Sequence, residues 1–331
     1  MHFGIWAPLP HTIVPEPEIE RALSDLMTPG QGLPVDRSFA FVADVVRDAE
    51  AIGFDITLVA ERLVAADLEA WVVSSALAMM TSRIQIMTAV HPGIVNPQVV
   101  AKMGASLDRL SGGRFCINIV PGRRSHEFEL YGNGASPGEG DERYQRMDEF
   151  IRVMKGLWLE KDFTHNGEYF SVHNATQLTR PMRLPCPPVY AATAALQGME
   201  LVARECDVWF ASYEPGIDAY TENLGRMSQD IIDMQRRAEK YHRSLGFGVS
   251  THIACESNDG LALERVRELE KDPENNVAIK SMGAGLIGSP QTIADRIRVY
   301  EDMGVSLLML QFHPMKDGLK RFADDVLPLL R

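Results

Sequence analysis

Eight short, continuously apolar runs recur along the chain, each followed by a longer stretch of helical periodicity, and no other feature limits the possible folds so sharply. The runs are His2–Ala7, Asp55–Ala60, Ile84–Val90, Phe115–Val120, Val189–Ala192, Val208–Ser212, Phe247–Ala254 and Ser306–Phe312. They lack the alternation of a half-exposed strand and read as strands buried on both faces, as in a parallel sheet. The intervening helices are expected at Phe39–Ile52, Ala70–Met80, Pro97–Leu110, Tyr144–Leu159, Leu196–Glu205, Ile217–Leu245, Pro290–Met303 and Leu319–Leu329. Eight strands, each followed by a helix, is the count of a TIM (β/α)8 barrel. A doubly wound sheet is the alternative, but no GxGxxG follows the first run. The expectation is therefore an α/β fold, a TIM barrel, forming one domain over residues 1–331.

The boundaries carry matching local chemistry. Gly53 in AEAIGFD and Gly304 in EDMGVSLLML stand where a helix ends before the next strand, the position that favours a left-handed residue. Ser289-Pro290 supplies an N-cap and a first-turn proline. Three segments fall outside the repeat. Residues 8–36 are a proline-rich excursion. Residues 161–188 read as a hairpin with a proline-rich return. Residues 271–288, charged and then glycine-rich, read as a mobile lid. Long excursions on a barrel usually serve function on the C-terminal rim, and the three are expected there.

At 331 residues the length would suit two average domains, but a single α/β barrel absorbs it. The net charge of −12 argues against a nucleic-acid or anionic-membrane partner, since both require a concentrated basic face. No apolar stretch reaches the roughly 20 residues of a membrane span, and the N-terminus lacks the pattern of a signal peptide. Cys116, Cys186, Cys206 and Cys255 are scattered with no CxxC spacing, which suggests reduced thiols in the cytoplasm. No metal site is expected.

Three stretches together carry a family likeness: Thr81–Gly122 (TSRIQIMTAVHPGIVNPQVVAKMGASLDRLSGGRFCINIVPG), Asp141–Trp158 with the NGEYF segment that follows, and Gly288–Phe312 (GSPQTIADRIRVYEDMGVSLLMLQF). All three resemble the luciferase-like flavin monooxygenases, over nearly the whole chain. The nearest branch in appearance is that of the alkanesulfonate and dimethyl sulfone monooxygenases, with the pyrimidine-ring-opening oxygenases close by. The resemblance implies a TIM barrel that uses reduced FMN, supplied by a separate NAD(P)H:flavin reductase, to insert one atom of O2 into a small molecule. It also implies a homodimer or homotetramer.

Site residues follow from the same stretches. Asn118 ends the fourth strand, where a barrel presents side chains to its active-site mouth; its amide suits the edge of an isoalloxazine ring, or it caps the strand. Tyr144 matches the family tyrosine directed at the FMN phosphate, and otherwise packs at a helix start. Thr193, Ala194 and Ala195 precede a helix whose N-terminal amides favour a phosphate. Relatives carry Gly-x-Ser here, so Ala195 offers no hydroxyl and Thr193 is the substitute. Ser212 is a further contact. Ala89 stands where pyrimidine oxygenases have threonine and sulfone enzymes have alanine.

The reacting end draws on His252 of VSTHIAC, which matches an active-site histidine of the sulfonate enzymes and is the first candidate for proton handling; a core histidine held by a hydrogen bond is the alternative. Two positions earlier, Ser250 replaces the arginine of those enzymes, removing a partner for an anionic substrate. Arg62 stands where relatives have a basic residue, to meet the substrate or flavin, or to pair with Glu61 or a rim carboxylate. His91 and His313 follow strands three and eight and are expected in the mouth. Arg123-Arg124 offers local positive charge but is expected to be solvent-exposed, and Trp6 is an apolar wall or core. The implied reaction is oxygenation with C–S cleavage of a sulfone or sulfonate. A deazaflavin-dependent oxidoreductase, a flavin oxygenase of a nitrogenous or natural-product substrate, and a non-catalytic flavin-binding protein are the alternatives.

Overall fold

Every one of the eight apolar runs is a strand in the computed structural model, which describes residues 1–9, 37–65, 67–122, 125–132, 134, 136, 138, 140–271 and 276–330. They are β1 (His2–Trp6), β2 (Ile56–Val59), β3 (Gln85–Val90), β4 (Phe115–Ile119), β7 (Val189–Ala192), β8 (Val208–Phe210), β9 (Gly246–Cys255) and β11 (Leu307–Phe312). Between β4 and β7 lie β5 (Phe163–Asn166) and β6 (Ser171–Ala175), and between β9 and β11 lies the two-residue β10 (Ile287–Gly288).

The chain divides into two compact units. The first comprises residues 1–58, 210–233 and 246–331. Its strands run parallel in the order β10–β9–β11–β1–β2. At the centre of this row Gly4 lies opposite Met309 and Ile56. A Cβ there would stand 2.1 Å from Met309 Sδ and 2.7 Å from Ile56 Cγ2, so the register is compatible only with glycine. In the same unit Phe3, Phe54, Phe312 and Phe322 form a cluster of edge-to-face and tilted pairs with centroids 5.4–6.3 Å apart, and the edge-to-face geometry adds to simple burial.

The second unit comprises residues 59–209 and 234–245. Here β3, β4 and β7 pair in parallel, and β8 follows β7 in the row. Helices α2 (Ala70–Met80), α3 (Pro97–Leu110), α4 (Ser125–Tyr131), α5 (Glu142–Leu159) and α6 (Leu196–Glu205) belong to it. Their starts are chemically specified. Glu69 caps α2 by accepting from Val72 N, and Asn96 caps α3 by accepting from Gln98 N, with Pro97 in the first turn.

In the first unit the remaining helices are α1 (Arg37–Ile52), α7 (Tyr220–Glu239), which runs on into the second, α8 (Asp259–Glu270), α9 (Asn276–Ser281), α10 (Pro290–Asp302), α11 (Met315–Arg321) and α12 (Leu327–Leu330). Gly53 and Gly304 have φ of +109° and +92°, as their place after a helix requires. Ser289 Oγ accepts from Thr292 N at 3.3 Å.

Several boundaries depart from expectation. The helix expected over Ile217–Leu245 spans only Tyr220–Glu239: the carbonyl of Ala238 turns to Tyr241 N and Arg243 N, with His242 left-handed at φ +54°. The last helix begins early, at Met315, and widens into a π turn over Phe322–Val326.

The excursions also need correction. Residues 10–36 of the first, and Arg123-Arg124, lie outside the described residues. Residues 161–188 do contain the antiparallel hairpin, β5 with β6, but it is not a strand-to-helix loop of the rim. It leaves the C-terminal end of α5 and runs back along that helix, where the Glu149 carboxylate accepts from the amides of Glu168, Tyr169 and Phe170 at 2.8, 2.9 and 3.0 Å. Those three bonds hold the Glu149 carboxyl below its usual range against the opposing effect of burial. In the third excursion residues 272–275 lie outside the described residues, while Met282–Gly288 are buried rather than forming an exposed lid. Met282 and Ile287 join Ala254, Ala262 and Val266 in an apolar cluster, and β10 pairs with the end of β9.

Candidate active site

Residues at the carboxyl ends of the parallel strands supply the site candidates, and each unit holds its own group. In the second unit, Glu61 and Arg62 follow β2. The Glu61 carboxylate accepts from Arg62 N at 2.9 Å and Ala70 N at 3.2 Å. Burial, with Glu69 and Asp67 adding like charge, nevertheless pushes its pKa up to about 7. The guanidinium of Arg62 reaches a rim carboxylate, with Nε 3.8 Å from Oε1 of Glu127 on α4. Glu127 is buried, and Oε1 accepts no hydrogen bond from the described residues. His91 is set between two carbonyls, with Nδ1 3.2 Å from Val120 O and Nε2 3.3 Å from Glu61 O.

Asn118 lies one strand further on, opposite Ala89 of β3 and Tyr190 of β7. The residue is 8% exposed, and among the described residues no donor reaches Oδ1. A buried acceptor without a donor costs roughly 1–3 kcal/mol.

The same unit places Tyr144 and Thr193 together. Tyr144 projects from the first turn of α5, and Thr193 follows β7; their hydroxyls are 3.1 Å apart and both side chains are buried. Thr193 Oγ1 also accepts from Ala195 N at 3.2 Å, and Trp209 Nε1 holds Thr193 O at 3.0 Å. Ala195 is the N-cap of α6 and offers no side-chain bond to the first turn, as its methyl requires. Gly198, in that turn, could not bear a side chain: a Cβ would fall 2.3 Å from Thr193 Oγ1 and 2.6 Å from Tyr144 Cε1. The guanidinium of Arg143 stacks over the Tyr144 ring at 5.0 Å. The unit therefore presents an uncapped helix N-terminus beside two hydroxyls and a cation, with Ala194 in the turn between. That combination suits an anion such as a phosphate.

In the first unit, His252 of β9 lies opposite Gln311 of β11, and His313 follows β11. His252 is 1% exposed. Burial, reinforced by the nearby His313, pushes its pKa down to about 3, so the ring is neutral at neutral pH. Its Nδ1 contacts Ser281 Oγ. Around it, Trp6 Nε1 donates to Ser250 Oγ at 2.8 Å, and Thr251 Oγ1 to Ser281 O at 2.8 Å. Tyr213 Oη is shared between Ser281 O, at 2.9 Å, and Ser250 O. Ser212, beside Tyr213, is half-buried in the stretch after β8.

Sequence reasoning did not single out Glu127, Ser281 or Tyr213, and treated Glu61 only as a partner for Arg62. Glu61 stands directly after an apolar strand, and that position was a usable signal. Ser281 carried none: it meets His252 from 29 residues away.

A family model described as luciferase-like monooxygenase matches residues 1–307. Among solved structures, the EDTA monooxygenase EmoA from Chelativorans sp. BNC1 aligns with a TM-score of 0.79 at 18% identity, covering 100% of this chain and 93% of that one. The riboflavin lyase RcaE, solved with modified FMN and riboflavin, aligns with a TM-score of 0.77 at 15% identity, covering 100% and 91%. The coenzyme F420-dependent tetrahydromethanopterin reductase from Methanopyrus kandleri aligns with a TM-score of 0.70 at 15% identity, covering 100% and 99%. The fold is the α/β TIM barrel. Among the described residues, no helix is long and apolar enough to cross a membrane.

Proposed function

We propose, from the premise that this chain belongs to the luciferase-like monooxygenase family, that it uses reduced FMN and O2 to oxygenate a small, uncharged organosulfur compound. Membership makes it a flavin-dependent monooxygenase, an oxidoreductase acting on small molecules. The finer reading rests on one observation above others: the buried Oδ1 of Asn118 has no donor. An N–H on the edge of a flavin ring would satisfy it.

The phosphate end is assigned to Tyr144, Thr193 and the backbone of Ala194, Ala195 and the α6 first turn, whose dipole and amides favour an anion. Ala89, a single methyl opposite Asn118 in register, leaves room beside the ring, and Ser212 is a subsidiary contact. Bound reduced flavin supplies the electrons that activate O2. His252, neutral and buried, is assigned to hydrogen bonding and proton transfer at the reacting end. Arg62, His91 and His313 are assigned to orienting the substrate.

A neutral sulfone fits better than a sulfonate. Where sulfonate oxygenases resemble this chain they carry arginine, and here Ser250 stands, its hydroxyl already engaged by Trp6. No dinucleotide-binding motif is visible in the sequence, so reduced FMN is taken to come from a separate NAD(P)H:flavin reductase. A homodimer or homotetramer is carried over from the family resemblance. The free state of all four cysteines is compatible with the cytoplasm.

The likeness to an F420-dependent reductase supports one second reading, in which a reduced deazaflavin binds instead and O2 plays no part. Anaerobic titration with each reduced cofactor, followed by aeration in the presence of dimethyl sulfone, separates the two. Preferential binding of reduced FMN with substrate-dependent product formation is expected. Preferential binding of reduced F420, with no oxygen consumed, would overturn the proposal.

A further inference from the structure

We propose that Ser281 is a positioning residue whose hydroxyl donates to Nδ1 of His252 and thereby fixes the imidazole as its Nε2–H tautomer. The inference rests on the assignment of His252 to proton handling, and it adds which way the ring faces that task. A neutral imidazole has one N–H, so its role depends on which nitrogen carries the proton. His252 is buried, uncharged at neutral pH, and in contact with Ser281 Oγ through Nδ1. The lone-pair nitrogen of imidazole is a stronger acceptor than a hydroxyl oxygen, and free histidine itself favours Nε2–H. Both preferences put the hydroxyl proton on the line toward Nδ1. His252 then offers a donor at Nε2, not a base.

The placement of Ser281 is over-determined by groups that do not involve its hydroxyl. Its carbonyl accepts from Tyr213 Oη at 2.9 Å and Thr251 Oγ1 at 2.8 Å. Next along the chain, Asn223 Nδ2 donates to Gly283 O at 2.8 Å, Tyr300 Oη to Ala284 O at 2.5 Å, and Arg296 to Gly285 O. Asn223 itself is held by Glu214, accepting from its N at 2.8 Å and donating to its O at 2.9 Å. Gly283 is so close to this support that a Cβ would fall 2.2 Å from Glu214 O. Four carbonyls in five residues are thus bound by side chains from outside the segment, and the Ser281 Cβ is fixed before any ligand arrives. Such pre-organisation is what orienting groups at a reacting centre require. None of these bonds uses the Ser281 hydroxyl, so each of them persists in Ser281→Ala.

Long-range 1H–15N correlation spectra of histidine-labelled, cofactor-free protein test this directly, with the His252 signals assigned by their loss in His252→Gln. The expected wild-type pattern is a pyridine-type Nδ1 and a pyrrole-type Nε2. In Ser281→Ala the two nitrogens shift toward an averaged pattern, and Ser281→Thr restores the original. In turnover, Ser281→Ala is expected to lower kcat about tenfold with KM unchanged, the scale of one lost neutral hydrogen bond, and Ser281→Thr to recover it. A pyrrole-type Nδ1 in the wild type, or unchanged His252 signals in Ser281→Ala, would overturn the proposal. The spectra need no flavin, so these outcomes are independent of the cofactor assignment. Expected spectra combined with normal turnover in His252→Gln would instead remove His252 from the reaction, and with it any orienting role for Ser281.

Discussion

Two groups of polar side chains, one around His252 in the first unit and one around Asn118 in the second, differ in how far their hydrogen bonds are made from within. In the first unit, the hydroxyls of Ser250, Thr251, Tyr213 and Ser281 are engaged by neighbours, and His252 is neutral with Nδ1 against Ser281. In the second unit, Asn118 Oδ1 and Glu127 Oε1 are buried with no donor among the described residues, and the Glu61 carboxyl is pushed up to about 7. Burial of a polar group is tolerable when it is paired and unfavourable when it is not. The first group therefore reads as a pre-set tool. The second is, on the proposed function, a seat whose contacts are completed by the cofactor.

That contrast can be broken most severely at Gly198. Gly198→Val pushes a side chain into Thr193 Oγ1 and Tyr144. Reduced-FMN affinity is expected to fall by about 100-fold or more, on the scale of losing a charge-assisted phosphate contact, while far-UV circular dichroism stays unchanged. Full-affinity binding in this variant would remove the phosphate assignment.

The next largest effect belongs to His252. His252→Gln should lower kcat by about 10²-fold or more yet leave reduced-FMN affinity intact. It should also alter acid stability. The folded pKa lies below the unfolded value, so between about 6.5 and 3 the unfolded chain binds the extra proton and native stability is lost as pH falls. Its slope there is roughly 1.4 kcal/mol per pH unit for one proton. Urea denaturation at pH 7 and pH 5 should show a smaller loss in His252→Gln than in the wild type, and an equal loss would contradict the neutral, buried ring.

Asn118 sharpens the comparison in the opposite direction. Asn118→Leu removes an unpaired acceptor and is expected to stabilise the cofactor-free protein by about 1 kcal/mol, while weakening reduced-FMN binding about tenfold. A site residue whose removal raises stability is the usual exchange between function and stability. Destabilisation with unchanged binding would assign Asn118 to the scaffold.

The smallest effect is at Glu61. Its folded pKa is raised, so the native state holds its proton longer than the unfolded chain, and stability falls as pH rises from about 4.5 to 7. Denaturation across that window should show a shallower decline in Glu61→Gln than in the wild type. Parallel curves would mean that Glu61 ionises normally.

Much of this was legible in the residues because it is local. An apolar run without alternation marks a buried strand, and all eight runs became strands. Gly53, Gly304 and Ser289-Pro290 marked helix ends through φ and capping requirements that depend only on neighbouring residues. The meeting of Tyr144 with Thr193 followed from family likeness rather than from periodicity, because 49 residues separate them. What remained hidden was either long-range or a matter of direction along the barrel. Ser281 reaches His252 only through the fold. The 161–188 hairpin follows a helix and precedes a strand, so it begins at the end opposite the rim, which its length and composition do not reveal. The glycines of 282–288 suggested mobility, yet Gly283 is glycine because Glu214 O lies against it.

The most direct measurement is the anaerobic dissociation constant of reduced FMN for wild type, Asn118→Leu, Thr193→Val and His252→Gln, taken side by side with their turnover. The account predicts weakened binding in the two second-unit variants, and undiminished binding with lost turnover in His252→Gln. Binding unaffected by Asn118→Leu and Thr193→Val, or weakened most by His252→Gln, would contradict it.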